Sequence, residues 1–585
     1  MENYCIRKGK TTFEPSQYQK DILHFCHTGI GNGFINACAG ASKTTILENI
    51  IYHVPQEKKK LFIAFNKSIV EEMNSRIDSN EVLNLNITTH HSLGFNILME
   101  NYPNIKFEID ENKYSNFLRN NIVQLSNYEN LIFKNNEYNT YIRNIIHLID
   151  YARYYHVSSI RQIRNIAEKY GLNILRNECI VCKNILAWGR ENIETIDFTD
   201  MVWLVNELNL NTKRHLYDII LIDEAQDTSI MQQELIERCK KRGCRLFAVG
   251  DRHQAINVWC GADSDAVQKF KGENVTEFEL PITYRCPKKI VELAKQYSPN
   301  IKAADNAEDG VIRYNVPKHM PLSNDMVLCR NTSPIIEYFL FLLRANKKAY
   351  IKGSEGIYDT LSNIIVNSNA NIIDINCETH DGLMPKLYQS LICSVDNLIK
   401  QGYTDDEAYR HPSILDMYDN ILSIKYLSDN LTTTNELLSK IKVVFSDRNN
   451  EGIILSTIHK AKGLEADNVF ILCPSLLPNP YVKKEWEIIS EEHLVYVAYT
   501  RAKKSLNFIE EPNITDPYKS KSIFNMKNII KDIREMRKKI SLNIENNITE
   551  KDLLEKKNNE ENILGSKKQT SLNKKKTKVS NNMFS

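Results

Sequence analysis

Short apolar runs separated by helix-like stretches dominate the first half of the chain. Residues 33–39, 61–65, 219–223 and 245–251 read as buried strands, and the alternation predicts an α/β fold with a parallel sheet. Between residues 101 and 195 the pattern turns helical and polar, rich in Asn, Tyr, Arg and Ile, which predicts a helical insertion. A second α/β set follows, with candidate strands at 326–330, 349–353, 452–458 and 468–473. It is interrupted by helical sequence from about 358 to 442. From about residue 514 the chain becomes rich in Lys, Asn and Glu, and beyond 548 it carries too few apolar residues to offset its ordering entropy. The expected segments are therefore 12–100 and 197–298 for the first lobe, with an insertion at 101–196. The second lobe is expected at 299–356 and 449–513, with an insertion at 357–448 and a largely disordered tail at 514–585.

Length and composition agree with several domains: 585 residues, of which 42% are hydrophobic and 25% charged, exceed what one core accommodates. The formal net charge of +2 excludes bulk polycationic binding, so any nucleic-acid contact must come from a local groove. The N-terminal MENYCIRKGK has no apolar signal core, and the greasiest run, 335–343, is about half of the roughly 20 residues a membrane helix needs. Thirteen scattered cysteines suit reduced thiols more than a disulfide framework. The expectation is a soluble intracellular protein without a membrane partner, with nucleus or cytoplasm left open and a viral or phage origin included.

Candidate chemistry starts at residues 37–45, ACAGASKTT, which follow a predicted strand and precede a helical run. This is the setting of a phosphate-binding loop, whose backbone N–H groups cradle phosphate at a helix N-terminus. Ala39, Gly40, Ala41, Ser42, Lys43, Thr44 and Thr45 are the candidate nucleotide contacts. Lys43 would neutralise the β- and γ-phosphates, and the Thr44 hydroxyl would ligate Mg²⁺. Ala37 and Ser42 stand where the general pattern has glycines; a left-handed backbone at Ser42 would cost about 1–2 kcal/mol. Residues 221–227, LIDEAQD, end another apolar strand. There Asp223 would hold Mg²⁺ and Glu224 would orient or deprotonate an attacking water.

Further segments occur in an order that resembles UvrD/Rep-type superfamily-one helicases, with a core layout most similar to that of the eukaryotic F-box DNA helicase but without an F-box. The resemblance spans about 13–506. It rests on PSQYQ at 15–19, AFNKSI at 64–69, THHS at 89–92, GDRHQ at 250–254, WCGA at 259–262, YR at 284–285, STIHKAKGLEAD at 456–467 and EEHLVYVAYTRA at 491–502. It implies two RecA-like P-loop NTPase lobes with parallel sheets, each carrying a helical insertion. It further implies that Gln19 reads the adenine edge, Tyr284 stacks on adenine, and Gly463 and Glu465 lie at the nucleotide. Gln254 and Arg285 would sense the γ-phosphate, and Arg501 would be the arginine finger. Phe65, Asn66, His91, Trp259 and His459 would contact the strand, with Trp259 the best-placed stacking face. Asn257 and Phe65 depart from the family's usual aromatic placement.

The resemblance implies an ATP- and Mg²⁺-dependent helicase or translocase moving 3′ to 5′ on single-stranded DNA and engaging duplex junctions. Two rivals stay open at this stage: an RNA-directed ATPase of the same superfamily, and an ATP-gated scaffold that clamps strands without unwinding. Cys179, Cys182, Cys239 and Cys244 are discounted as a four-thiolate metal site, for want of knuckle sequence around them. The basic stretch 574–578, KKKTK, could serve as a nuclear address or an extra DNA contact.

Overall fold

The computed structural model describes residues 4–126, 135–170, 172, 176–256, 261, 274–353, 355–368, 370, 382–445, 451–482, 484–509 and 528–540. Asn257, Trp259 and the basic stretch 574–578 lie outside the described residues. The chain divides into two units: Met1–Gly353 with Asp447–Ser522, and Ser354–Ser446 with Ile523–Ser585.

The first unit opens with a hairpin of β1 (Ile6–Lys8) and β2 (Thr11–Phe13), followed by α1 (Gln17–Thr28). Next come β3 (Asn32–Ala37), α2 (Lys43–His53), β4 (Lys60–Ala64), α3 (Lys67–Arg76), β5 (Leu85–Thr89) and α4 (His90–Asn101). After the insertion the chain continues through α9 (Asp200–Glu207), β8 (Tyr217–Ile222), α10 (Ile230–Arg238), β9 (Lys240–Gly250) and β10 (Val275–Leu280). The six strands form one parallel sheet in the order β10-β3-β9-β8-β4-β5. The inner strands are apolar on both faces because helices cover both. Ile35, Phe62, Leu221 and Phe247 join one core cluster, while their neighbours Phe34, Leu61, Ile220 and Leu246 join the other.

The insertion consists of α5 (Lys113–Ser126), α6 (Asn135–Tyr154), α7 (Ile160–Tyr170) and α8 (Arg176–Glu191), flanked by β6 (Glu108–Ile109) and β7 (Thr195–Ile196), which pair in parallel. A buried charge cluster ties it to α9: Lys113 reaches Asp200 at 2.7 Å, and the Tyr114 hydroxyl donates to Asp200 at 2.6 Å. Arg153 pairs with Asp197 at 2.7 Å and with Asp200 at 3.0 Å. Charges this deep persist only when paired, so loss of one partner would strand the others.

Short strands β11 (Ile282–Thr283) and β12 (Lys302–Ala303) flank α11 (Lys288–Ala294) and lead to the second lobe. There β13 (Val311–Val316), β14 (Met326–Cys329), α12 (Thr332–Arg344), β15 (Ala349–Ile351), β16 (Ile453–Thr457), β17 (Ala466–Ile471), α18 (Glu485–Tyr499) and β18 (Ala502–Ile509) make a second parallel sheet. Its order is β13-β18-β17-β14-β16-β15. The two lobes are RecA-like. One apolar cluster runs from Ile46 and Phe62 of the first lobe to Val469, Val495 and Leu506 of the second.

The second unit contains α13 (Glu355–Asn367), α14 (Leu383–Lys400), α15 (Asp405–Arg410), α16 (Pro412–Leu427) and α17 (Thr434–Val444). Thr404 with Glu407 and Thr433 with Glu436 form capping boxes that start α15 and α17, and Pro412 begins α16 where no N–H is needed. Residues 528–540 form one more helix, α19, within the stretch expected to be disordered. Ile529 and Ile533, one turn apart, are fully buried, and Asp532 accepts from the Tyr388 hydroxyl at 2.6 Å and the Tyr418 hydroxyl at 2.9 Å. The charged composition hid this short apolar stripe. Among the described residues no helix is long and apolar enough to cross a membrane.

Candidate nucleotide site and strand groove

Residues 38–42 join β3 to α2 as a tight loop. The Cys38 N–H donates to the Leu280 carbonyl at 3.0 Å, and the Ala41 N–H to the Cys38 carbonyl at 3.1 Å. Gly40 has φ +76°, and a Cβ there would stand 2.6 Å from both Arg285 Cβ and Thr283 Oγ1, so the close approach requires glycine. Ser42 does adopt the left-handed conformation, with φ 64°, and its side chain makes no cap to α2. The helix therefore begins at Lys43 with its N-terminal dipole end uncapped by Ser42, the setting for an anion. Ala39 and Ala41 are buried, as is Thr45, whose hydroxyl faces Arg76 at 3.5 Å.

The strand β8 ends at Ile222, delivering two carboxylates to the same place. Lys43 pairs with Glu224 at 2.8 Å, and the Thr44 hydroxyl donates to Asp223 at 3.0 Å. Glu224 is itself left-handed, with φ 49°. Burial and the adjoining Glu224 charge push Asp223 up to about 6. Burial would also raise Glu224, but the Lys43 and Lys462 charges outweigh it and hold that carboxyl down to about 2. A divalent ion such as Mg²⁺ takes one or two carboxylates plus hydroxyl, water and phosphate oxygens, and Asp223 beside Thr44 fits that donor set.

The second lobe reaches this site through the end of α18. Arg501 is buried; its Nε donates to the Val497 carbonyl at 2.9 Å, and one terminal nitrogen lies 3.5 Å from Gln254 Oε1. Burial and the nearby Arg285 charge bring its pKa down to about 10, leaving it a cation at neutral pH. Gln254 donates to Asp251 at 2.7 Å, and the Asp251 N–H donates to Gln226 at 3.0 Å. Arg285 pairs with Glu465 at 2.7 Å, two residues beyond Gly463, whose φ is +86°. Lys43, Thr44, Asp223, Glu224, Gln254, Arg285, Glu465 and Arg501 are thus brought into one neighbourhood.

Sequence reasoning missed three participants there. Lys462 forms an ion pair with Asp227 and donates to the Gln254 carbonyl at 2.7 Å, and Tyr496 accepts the Ala39 N–H at 2.9 Å. Gln226 donates to Glu224 at 2.5 Å. All lie inside segments quoted above, so their position was visible and their contact was not.

Tyr284 lies beside the loop, its N–H donating to the Gly40 carbonyl at 3.0 Å while the residue is 53% exposed. Gln19 is buried at the start of α1, where its Oε1 accepts from the Ser16 N–H at 2.9 Å in a capping box. That bond occupies Oε1 but supplies no contact to the loop.

A separate depression of about 560 Å³ gathers Phe65, Asn66 and His91 with Lys67, Ser92 and Phe198. Phe65 is 41% exposed, and His91 stands edge-on to Phe198 with centroids 6.4 Å apart. Asn66 accepts the Ile69 N–H at 3.0 Å and so caps α3. His459 is not part of this groove. It follows β16 on the second lobe, where burial and the Arg330 and Lys460 charges lower its pKa to about 3. Cys179 and Cys182 are buried among the helices of the insertion. Among the described residues no group of three or more His, Cys, Asp or Glu side chains is arranged to hold a metal.

Two family descriptions match in succession: the UvrD/REP helicase N-terminal domain over residues 19–274 and the UvrD-like helicase C-terminal domain over residues 261–512. The probable DNA helicase II homolog of Mycoplasma genitalium is 29% identical over 299 residues, covering 47% of this chain and 42% of that protein. The homolog from Mycoplasma capricolum is 23% identical over 600 residues, covering 81% of each. The ATP-dependent DNA helicase Rep of Buchnera aphidicola subsp. Acyrthosiphon pisum is 24% identical over 610 residues, covering 82% of this chain and 92% of that protein. The matched region thus spans under half of some relatives and most of others.

Proposed function

Carrying both domains of the UvrD/REP helicase family, the chain belongs to that family, and we propose that it hydrolyses ATP to move along and unwind DNA. The observation that carries this reading is the convergence of Lys43 and Glu224 from one lobe with Arg501 from the other around Gln254. Phosphoryl transfer depends on positioning and charge stabilisation, so dividing the charges between lobes makes hydrolysis depend on their closure.

In this reading Lys43 binds the β- and γ-phosphates at the loop 39–45, and Tyr284 stacks on adenine while Gln19 reads its edge. Thr44 and Asp223 hold Mg²⁺, which when bound neutralises phosphate charge. Glu224 orients the attacking water and accepts its proton. Gln254 and Arg285 sense the γ-phosphate, Gly463 and Glu465 line the nucleotide, and Arg501 stabilises charge as the terminal phosphoryl group departs. Phe65, Asn66, His91, Trp259 and His459 contact the strand. The movement is 3′ to 5′ on single-stranded DNA toward duplex junctions, in replication, recombination or repair. Within the family, the shortness of the insertion at 357–448 is what motivates a layout near that of the F-box helicase.

The test is steady-state ATP hydrolysis by wild type and Lys43→Ala, with single-stranded DNA, matching RNA or no strand, at fixed salt. DNA-stimulated turnover that the substitution abolishes supports the reading. Equal stimulation by RNA redirects it to an RNA-directed ATPase, and no turnover with any strand leaves a scaffold.

A further inference from the structure

One face of α18 addresses three loops of the first lobe. His493 Nδ1 lies 3.0 Å from the Ala255 carbonyl, Tyr496 meets the Ala39 N–H at 2.9 Å, and the Thr500 carbonyl accepts from Arg285 at 3.3 Å. His493 and Tyr496, three residues apart, lie side by side on the helix, and Thr500 follows its last residue. Tyr496 is fully buried, and the buried Ser298 side chain interacts with its hydroxyl. A phenylalanine would fill the same volume. A buried hydroxyl must find partners, and these are the phosphate loop on one side and Ser298 on the other.

Tyr496 is also connected to Arg501. The Thr500 hydroxyl donates to the Tyr496 carbonyl at 2.8 Å and accepts from Arg501 at 3.3 Å, while Arg501 Nε holds the Val497 carbonyl. The hydroxyl that touches the loop and the guanidinium near Gln254 therefore belong to one hydrogen-bonded helix end.

We propose that Tyr496 is a positioning residue that couples the phosphate loop to the second lobe, its hydroxyl tying Ala39 to the helix end that carries Arg501. This rests on the reading of the site as an ATPase. Phosphate arriving in the loop and the approach of Arg501 then become one event, and strand affinity responds to nucleotide through the same link.

The experiment uses the full chain with Tyr496→Phe. It measures kcat and KM for ATP with saturating single-stranded DNA, and strand affinity with and without a non-hydrolysable ATP analogue. The thermal midpoint without ligands is recorded alongside. The expected result is a fall in kcat of about tenfold with KM within about threefold, and a ratio of the two strand affinities that moves toward one. An active wild type matched by Tyr496→Phe in both readouts overturns the inference alone. A wild type without turnover overturns the ATPase reading and the inference with it. A fall in kcat that tracks lost folded protein, with the affinity ratio unchanged, assigns the hydroxyl to stability and also overturns it. If Tyr496→Phe does not fold, Ser298→Ala decides: a smaller shift in the same direction supports the link, and wild-type behaviour sinks it.

Discussion

Lys43 Nζ stands 2.8 Å from the Glu224 carboxylate, so the cation that would bind phosphate and the base that would activate water form one buried ion pair. In the proposed reaction a phosphate bound in the loop would compete for Lys43 and leave Glu224 free to take a proton. Glu224→Gln keeps the shape and the hydrogen bond but cannot accept that proton. It is expected to lower DNA-stimulated turnover by about 10² or more, while affinity for a non-hydrolysable ATP analogue stays within about threefold. Equilibrium binding set beside steady-state hydrolysis separates the two effects.

Ser42 sits at φ 64°, where a side chain is strained and glycine is not. Ser42→Gly removes that strain but gives the unfolded chain more freedom, so the net gain in stability is expected to be below about 1 kcal/mol. A calorimetric midpoint at or slightly above wild type, with nucleotide affinity retained, is the expected outcome. A clear fall would mean that the Ser42 hydroxyl does more than occupy the turn.

The groove around Phe65 offers an exposed aromatic face beside Asn66 and His91. Base stacking is worth about 1–3 kcal/mol per base, so Phe65→Ala is expected to weaken single-stranded DNA binding by about 5- to 150-fold without lowering the thermal midpoint. Fluorescence anisotropy across a salt series checks this. Loss of stacking should shift affinity at every salt concentration and leave the salt slope unchanged.

His156 lies between Glu207, at 3.3 Å, and Glu234, and these hydrogen bonds raise its pKa from 6.5 to about 9. A folded-state pKa above the unfolded value means that the stabilisation is complete below about pH 6.5 and is lost as pH rises through 9. Compared with His156→Gln, wild type is expected to melt about 2–4 °C higher at pH 6, with the difference gone by about pH 10. Paired melts over that range measure it.

The strands legible in the sequence were those whose environment is simple. β3, β4, β8 and β9 are buried on both faces and read as apolar runs, whereas β5, β10 and β13 carry many polar or exposed positions and lie at or near sheet edges. β18 is interior, yet its second and third residues are Lys503 and Lys504, which pair with Glu465 and Asp467 and break its apolar pattern. That the loop at 38–42 joins a strand to a helix was legible because the three are consecutive in the sequence, and so was the pair of carboxylates that ends β8. Tyr496 with Ala39 and Lys462 with Asp227 were not, since each contact joins residues hundreds of positions apart.

The Asp532 carboxylate between Tyr388 and Tyr418 bears on the order in which the protein is made. The second unit cannot complete its core until 528–540 emerge from the ribosome, and the second sheet of the first unit waits for β16, β17 and β18. Synthesis therefore delivers two interleaved units whose last pieces arrive close together, long after the strands of the first sheet are all made.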